Sequence, residues 1–396
     1  MSKKFKLFTS GFLALSLMLS ACGQDAEKED NKQAEENKNE NNEQVENDTA
    51  EKSASEQIAA MVESYKTGTD ELAKAKEDKE VDYDKVTELY KNDLQALVKK
   101  RDGEFETSMD QQITTALEAG KSGDLDGYVV KQIFDKLMQK AFFDTMRHEF
   151  IEIKEHWGEK EEVKEELEEA KAFYAALEGT VQKRDSAYST KMAEKIQGGF
   201  AEMEKAVEND DELAFQLGKQ VVDKTLMRTF YLAAGADPHG YAFKAAKEAK
   251  ENPEEARVEQ AEGWAFYQSI KSYLEKYATE EAELIESQFN LESDVTALDP
   301  EAINDAFVSG FSKVALHEYE ESQEYWGEDK SMITALEGAL FIEILETDLK
   351  ADLGEEKYNE LHKQAEDYIA AVEADDQEKA KEILSSIEET LNGLTK

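Results

Sequence analysis

The chain has 396 residues, with 91 acidic against 47 basic side chains and a net charge of −44. Such a surface repels nucleic acid and anionic lipid headgroups and favours cations and basic partners. A single cysteine, Cys22, excludes a disulfide framework, a cysteine-ligated zinc site and a cysteine nucleophile from the body, so packing alone has to hold the fold.

In chain order the first element is a leader. Residues 1–21, MSKKFKLFTSGFLALSLMLSA, set Lys3, Lys4 and Lys6 before an apolar stretch over 11–19. That is the pattern of a secretory signal, too short for an ordinary membrane span. It ends in Leu19-Ser20-Ala21-Cys22, which resembles the lipobox of bacterial lipoproteins. The resemblance implies cleavage before Cys22, lipidation of its thiol (palmitate) and a membrane-anchored chain on the extracytoplasmic face, of Gram-positive type. Residues 22–54 then read as the lipidated cysteine and an acidic linker. Glu, Asn, Asp, Lys and Gln dominate 23–52, which lack the apolar surface to offset the entropy of ordering, so a disordered tether is expected.

From residue 55 the chain reads as all-α. Ala, Leu, Glu and Lys dominate, apolar residues recur at steps of three and four, and Pro238, Pro253 and Pro300 sit at helix boundaries. The body also repeats itself. Residues 94–113, LQALVKKRDGEFETSMDQQI, align with 177–196, LEGTVQKRDSAYSTKMAEKI. Residues 131–143, KQIFDKLMQKAFF, align with 219–231, KQVVDKTLMRTFY. EAKAFY at 169–174 returns as EGWAFY at 262–267 and EGALFI at 337–342. About four related units are expected, starting near 89, 173, 266 and 341, with 55–88 as an N-terminal helix or cap. The expected architecture is duplicated helical hairpins in an elongated bundle or two adjoining bundles, with one repeat half over 55–265 and a second over 266–396.

One motif carries candidate chemistry. Residues 147–158, RHEFIEIKEHWG, return as 316–327, LHEYEESQEYWG. The first copy closes a helix expected over 128–157. Advancing 100° per residue from Val130, Phe134, Leu137, Met138 and Ala141, the inward stripe continues through His148, Glu152 and Glu155. In the second copy it continues through His317, Glu321 and Glu324. Gly158 and Gly327 end their helices, and an antiparallel return brings Glu169 and Glu337 to the level of the histidines. The candidate ligands are therefore His148, Glu152 and Glu169 in one copy, and His317, Glu321 and Glu337 in the other. One nitrogen and two carboxylates suit Fe(II), Mn(II) or Zn(II), with Glu149, Glu155, Glu318 and Glu324 as further oxygens. The other reading is a structural corner, in which Glu169 and its counterparts cap a neighbouring helix or pair with Arg147, Lys140 or Arg228. Glu262 keeps the glutamate in a unit that has Gly235-Ala236-Asp237 in place of His-Glu, which gives that glutamate a role of its own.

The remaining signals are blander. His239 reads as a loop residue and His362 as a surface one. Trp157, Trp264 and Trp326 read as core, and Gly198-Gly199 as a kink or a close helix contact. Neither a Ser-His-Asp set nor HExxH is present, and the di-iron pattern of paired Glu-x-x-His is absent too, so a non-enzymatic role is expected.

With its leader, its all-α duplication and its paired His/Glu corners, the chain resembles imelysin-like proteins, bacterial envelope lipoproteins associated with iron uptake that carry a Gly-x-His-x-x-Glu motif. The resemblance rests on His148, His317 and Glu320. The first copy has Ile151 at the motif's glutamate position, and neither copy has the glycine two residues before its histidine. It implies a lipid-anchored binding protein for divalent metal or a metal-containing ligand, partnered by the membrane and a metal-uptake component. A scaffold whose acidic surface docks a basic protein is the alternative.

Overall fold

The computed structural model describes residues 53–395, and every regular element among them is helical. The leader, Cys22 and most of the acidic linker lie outside the described residues. Ser53 opens α1 (Ala54–Ala73) with a reciprocal capping box to Glu56. α2 (Tyr83–Leu89) runs through a π-turn at Tyr90–Leu94 into α3 (Gln95–Phe105), followed by α4 (Met109–Ser122) and the long α5 (Gly127–Glu155). The same order of a helix, a shorter helix, a return and an inner helix then recurs. It is α6 (Lys160–Tyr174), α7 (Glu178–Tyr188), α8 (Met192–Asn209) and α9 (Glu212–Ala234). After the inserted α10 (Tyr241–Glu248) come α11 (Pro253–Tyr267), α12 (Lys271–Tyr277), α13 (Thr279–Phe289) and α14 (Pro300–Glu324). The last round is α15 (Asp329–Ile344), α16 (Glu346–Leu353), α17 (Glu355–Glu373) and α18 (Gln377–Asn392).

The aligned KRD segments form the same corner twice. Asp102 accepts from Thr107 Oγ1 and from the backbone N–H groups of Met109 and Asp110 at 2.6–2.8 Å. Asp185 accepts from Thr190 Oγ1, Met192 N and Ala193 N at 2.7–3.0 Å. In each case one carboxylate, placed a turn before the end of one helix, satisfies the first free N–H groups of the next. Pro253 and Pro300 each stand in the first turn of their helix, where no N–H is needed.

α5, α9 and α14 are the inner helices, and their buried apolar side chains, Val221 apart, belong to one contiguous core. α11 packs on both α5 and α9, and α15 on both α9 and α14. α8 and α9 touch through glycine. A Cβ on Gly199 would stand 2.7 Å from Val222 Cγ2 and 3.2 Å from the Gly218 carbonyl, so Gly199 serves close packing. Gly158 and Gly327, with φ of +110° and +85°, end their hairpin corners in the conformation glycine favours. No described helix is long and apolar enough to cross a membrane.

Candidate metal centre and its duplicated surroundings

The hairpin corners lie at the ends of α5 and α14. The inward stripe expected through His148, Glu152 and Glu155 is corrected there. The buried residues in the last turns of α5 are Met146, Glu149, Phe150 and Ile153, while Glu155 is exposed. In α14 they are Glu318, Tyr319 and Ser322, with Glu324 exposed. The buried face rotates because the packing partners change: Phe150 meets Phe200 of α8, and Tyr319 meets Tyr368 of α17.

That rotation buries the glutamate of the His-Glu pair rather than the histidine. Glu149 is 8% exposed and Glu318 6%. Burial pushes the Glu149 carboxyl up to about 8, and Glu169 across the hairpin adds to the shift. Burial likewise pushes Glu318 up to about 8, helped by Glu337, to which it hydrogen-bonds. The duplicated feature of the two corners is thus a carboxyl facing a carboxyl across α5/α6 and across α14/α15.

Glu337 has a further partner that explains its recurrence. Lys224 Nζ lies 2.9 Å from Glu337, 2.9 Å from Asp223 and 5.4 Å from the centre of the Phe341 ring. One unit earlier, Lys136 Nζ lies 3.3 Å from Glu262, 2.8 Å from Asp135 and 4.9 Å from the Phe266 ring. The KQxxDK lysine of one inner helix therefore inserts between its own aspartate and the Glu-x-x-x-Phe pair of a packed helix. Burial alone would raise both aspartates, but Arg147 and Lys224 around Asp223, and Lys136 and Lys131 around Asp135, hold them far below the usual carboxylate range. Glu262 needs no histidine because its partner is this lysine. Arg147 pairs with Asp223 at 2.7 Å, and Lys140 with Asp144 at 2.7 Å. Arg228 binds Glu343 and Glu346.

The predicted ligands separate between two neighbourhoods. His148 Nδ1 lies 3.0 Å from Glu104 of α3, and its Nε2 lies 3.9 Å from Glu152. His317 Nε2 lies 3.8 Å from Glu321, and the ring packs 4.2 Å from that of Tyr277. Glu169 stands beside Glu149, and Glu337 beside Lys224 and Glu318. Each histidine thus keeps its own-helix glutamate near, while the glutamate of the returning helix is engaged elsewhere.

Among the described residues, one set of three ligand-type side chains brings its donor atoms within 4.8 Å of one another: Glu152, His156 and Glu166. His156 Nδ1 lies 2.6 Å from Glu166 Oε1 and 3.7 Å from Glu162. The hydrogen bond to Glu166 is the main reason the imidazole pKa rises. Glu166 is 12% exposed, its pKa is raised by burial, and its Oε2 is buried without a hydrogen-bond partner. An imidazole with two carboxylates at this separation suits a divalent cation of the Fe, Mn or Zn kind. His156 and Glu166 were not among the predicted ligands. The signal that points to them is spacing: His156, which caps the end of α5, follows Glu152 by four residues, and Glu162 and Glu166 are four apart on α6.

The second corner answers the same positions differently. Tyr325 stands at the place of His156, Thr334 at that of Glu166 and Lys330 at that of Glu162. Lys330 Nζ lies 3.2 Å from Glu321 and 3.6 Å from the centre of the Tyr325 ring. A lysine of the chain therefore supplies the positive charge in this corner, whereas the first corner has three carboxylates and a histidine. Trp157 and Trp326 flank the two corners half-buried, and Trp264 is core. No family pattern, no curated protein and no solved structure matches this chain.

Proposed function

We propose that the chain is an extracytoplasmic binding protein for a divalent metal ion, tethered to the membrane through a lipid on Cys22, and that the α5–α6 corner holds the ion. The observation that carries the reading is the convergence of Glu152, His156 and Glu166 within 4.8 Å, with one buried oxygen of Glu166 unpartnered. Glu162 stands close enough to His156 to complete the set. The ion is Fe(II), Mn(II) or Zn(II) by ligand chemistry, since one imidazole with carboxylates satisfies all three. The role is non-enzymatic, as carrier or accessory to a metal-uptake component.

Metal analysis of the tag-free chain, as wild type, as His156→Ala and as the His148→Ala/His317→Ala double variant, tests it. One ion per chain, lost in His156→Ala and kept in the double variant, is the expected result. Loss only in the double variant would move the site to the histidines of the His-Glu pairs. A chain that takes up none of the three metals sinks the reading.

The second reading is a scaffold that docks a basic protein through its acidic surface. What favours it is that Ile151 and Leu284 are the exposed large hydrophobics among the described residues, so a docking face would be electrostatic rather than apolar.

A further inference from the structure

In a chain with 91 acidic side chains, unpaired basic groups stand out. Arg184 of α7 is only 7% exposed, and its Nε and Nη1 are buried with no hydrogen-bond partner. Its counterpart in the preceding unit, Arg101, is as deep and has the same two nitrogens without a hydrogen-bond partner, but it faces acid: Glu104 lies 3.1 Å away, and Glu149, Asp144 and Glu152 add their charge. At the positions equivalent to Glu104 and Asp144, the Arg184 unit carries Ala187 and Leu232. The guanidinium was kept, while of its four acids only Glu149 has an acidic counterpart, Asp237. An unpaired buried cation is costly to a fold that has no use for it.

Other cations share the neighbourhood. Arg184 lies 5.6 Å from the centre of the Tyr241 ring, and Lys244 Nζ 4.1 Å from the same ring. Lys183, next to Arg184, is exposed along its length, while partial desolvation of its amine and the charge of Lys136 hold it below its usual pKa. Burial depresses Lys244 too, against Glu259, with Arg184 adding to the depression. Neither lysine forms an ion pair. The acids facing them are already engaged or weakened. Asp135 is taken by Lys131 and Lys136, and Glu262 by Lys136 and the Tyr241 hydroxyl. Glu259 is pushed up to about 7 by burial and by Glu262. Positive charge is therefore in surplus between α7 and the start of α10, beside an aromatic floor where Tyr241 stacks on Phe266 at 5.8 Å.

We infer that Arg184, Lys244 and Lys183 form a binding site for a phosphate-class anion, with Arg184 as the buried hydrogen-bond donor and the two lysines as the accessible entrance. A guanidinium matches the paired oxygens of a phosphate, and lysines at the entrance add charge without requiring fixed geometry. The same chemistry is offered by free phosphate and by the phosphate of a lipid headgroup.

Calorimetric titration of the full chain with inorganic phosphate, against chloride at matched ionic strength, tests the site. Saturable binding is expected, weakened about tenfold in Arg184→Gln and in Lys244→Gln and unchanged in the remote Lys205→Gln. Circular dichroism reports whether Arg184→Gln folds; if it does not, Lys244→Gln decides, since that side chain is half-buried and holds no ion pair. Sedimentation with phosphatidylglycerol or phosphatidylcholine vesicles separates the sources. Phosphate binding without vesicle binding assigns a soluble ligand, and vesicle binding lost in Lys244→Gln assigns a headgroup. No phosphate binding beyond the chloride control together with no Lys244-dependent vesicle binding overturns the inference, as does wild-type affinity in both variants.

Discussion

The two hairpin corners, α5–α6 and α14–α15, share what shapes a corner and differ in what would occupy one. Both have the Trp-Gly stop, the buried glutamate after the histidine and a second glutamate on the returning helix. They part at the rim. The first has Glu152, His156, Glu162 and Glu166, while the second has Glu321, Tyr325, Lys330 and Thr334, with Lys330 lying against Glu321 and Tyr325. The interiors part as well, because Glu337 is held by Lys224 whereas Glu169 has no lysine of that kind. Repetition therefore marks the fold, and the departures from repetition mark candidate function.

The largest effect is expected where the second corner is anchored. Replacing Lys224 with Met leaves the half-buried Glu337 without its cation and the buried Asp223 with Arg147 alone, which costs on the order of 3 kcal/mol. The first corner offers the contrast: Glu169→Gln removes a carboxyl whose pKa is raised by burial and by Glu165 and Glu166, so it is neutral to slightly stabilising. Urea unfolding of the two variants checks both. Equal losses would mean that the corners are anchored alike.

Next comes pH, where the corners should agree. Glu149 and Glu318 both have folded-state values raised to about 8, above the ordinary glutamate value of 4.5. A raised value means that the folded state holds the proton more tightly. Their contribution is fully present below about pH 4.5, falls as pH rises toward 8 and is gone above it. At about 1.4 kcal/mol per pH unit for each group, the loss expected from the pair between pH 5 and 9 is on the order of several kcal/mol. Urea midpoints across that range should flatten by about half in either Glu149→Gln or Glu318→Gln. If one variant flattens the whole profile, the corners are not equivalent in this respect.

A smaller and equally shared effect belongs to the KRD corners. Asp102→Ala and Asp185→Ala each remove a carboxylate that takes two backbone N–H groups and a threonine hydroxyl, at about 1–2 kcal/mol apiece. Thermal midpoints should drop by similar amounts, because the two geometries match within a few tenths of an ångström.

The all-helical fold was legible in the sequence because periodicity, proline placement and internal alignment agreed. The alignment also located the KRD corner and the Glu-x-x-x-Phe pair, although not the lysine that explains the latter. That lysine lies 126 residues before Glu262 and 113 before Glu337 in sequence, and only packing of α11 on α5 and of α15 on α9 brings them together. The expected inward placement of His148, Glu152 and Glu155 fails for a related reason. A uniform 100° advance carries the stripe straight on, whereas the buried face of α5 turns where Phe150 meets α8. His156 escapes the helical stripe because it lies beyond the last full turn of α5, where helical phase says little about direction.

The smallest effect on stability tests the difference between the corners most directly. Lys330 is a half-exposed cation paired with Glu321, so Lys330→Glu alone should cost less than about 1 kcal/mol. Its consequence for binding is larger than its consequence for folding. Together with Tyr325→His and Thr334→Glu it rebuilds in the second corner the donor set of the first, with Glu321 already in place of Glu152. If the absence of a built-in cation is what makes the α5–α6 corner a metal site, the triple variant takes up a second ion, and His156→Ala in that background leaves one. Uptake that stays at one ion in the triple variant, with the helical signal intact, would mean that the rim residues are not sufficient. The site would then depend on the part of the first corner that the second lacks, the approach of Glu104 to His148 beside Glu152.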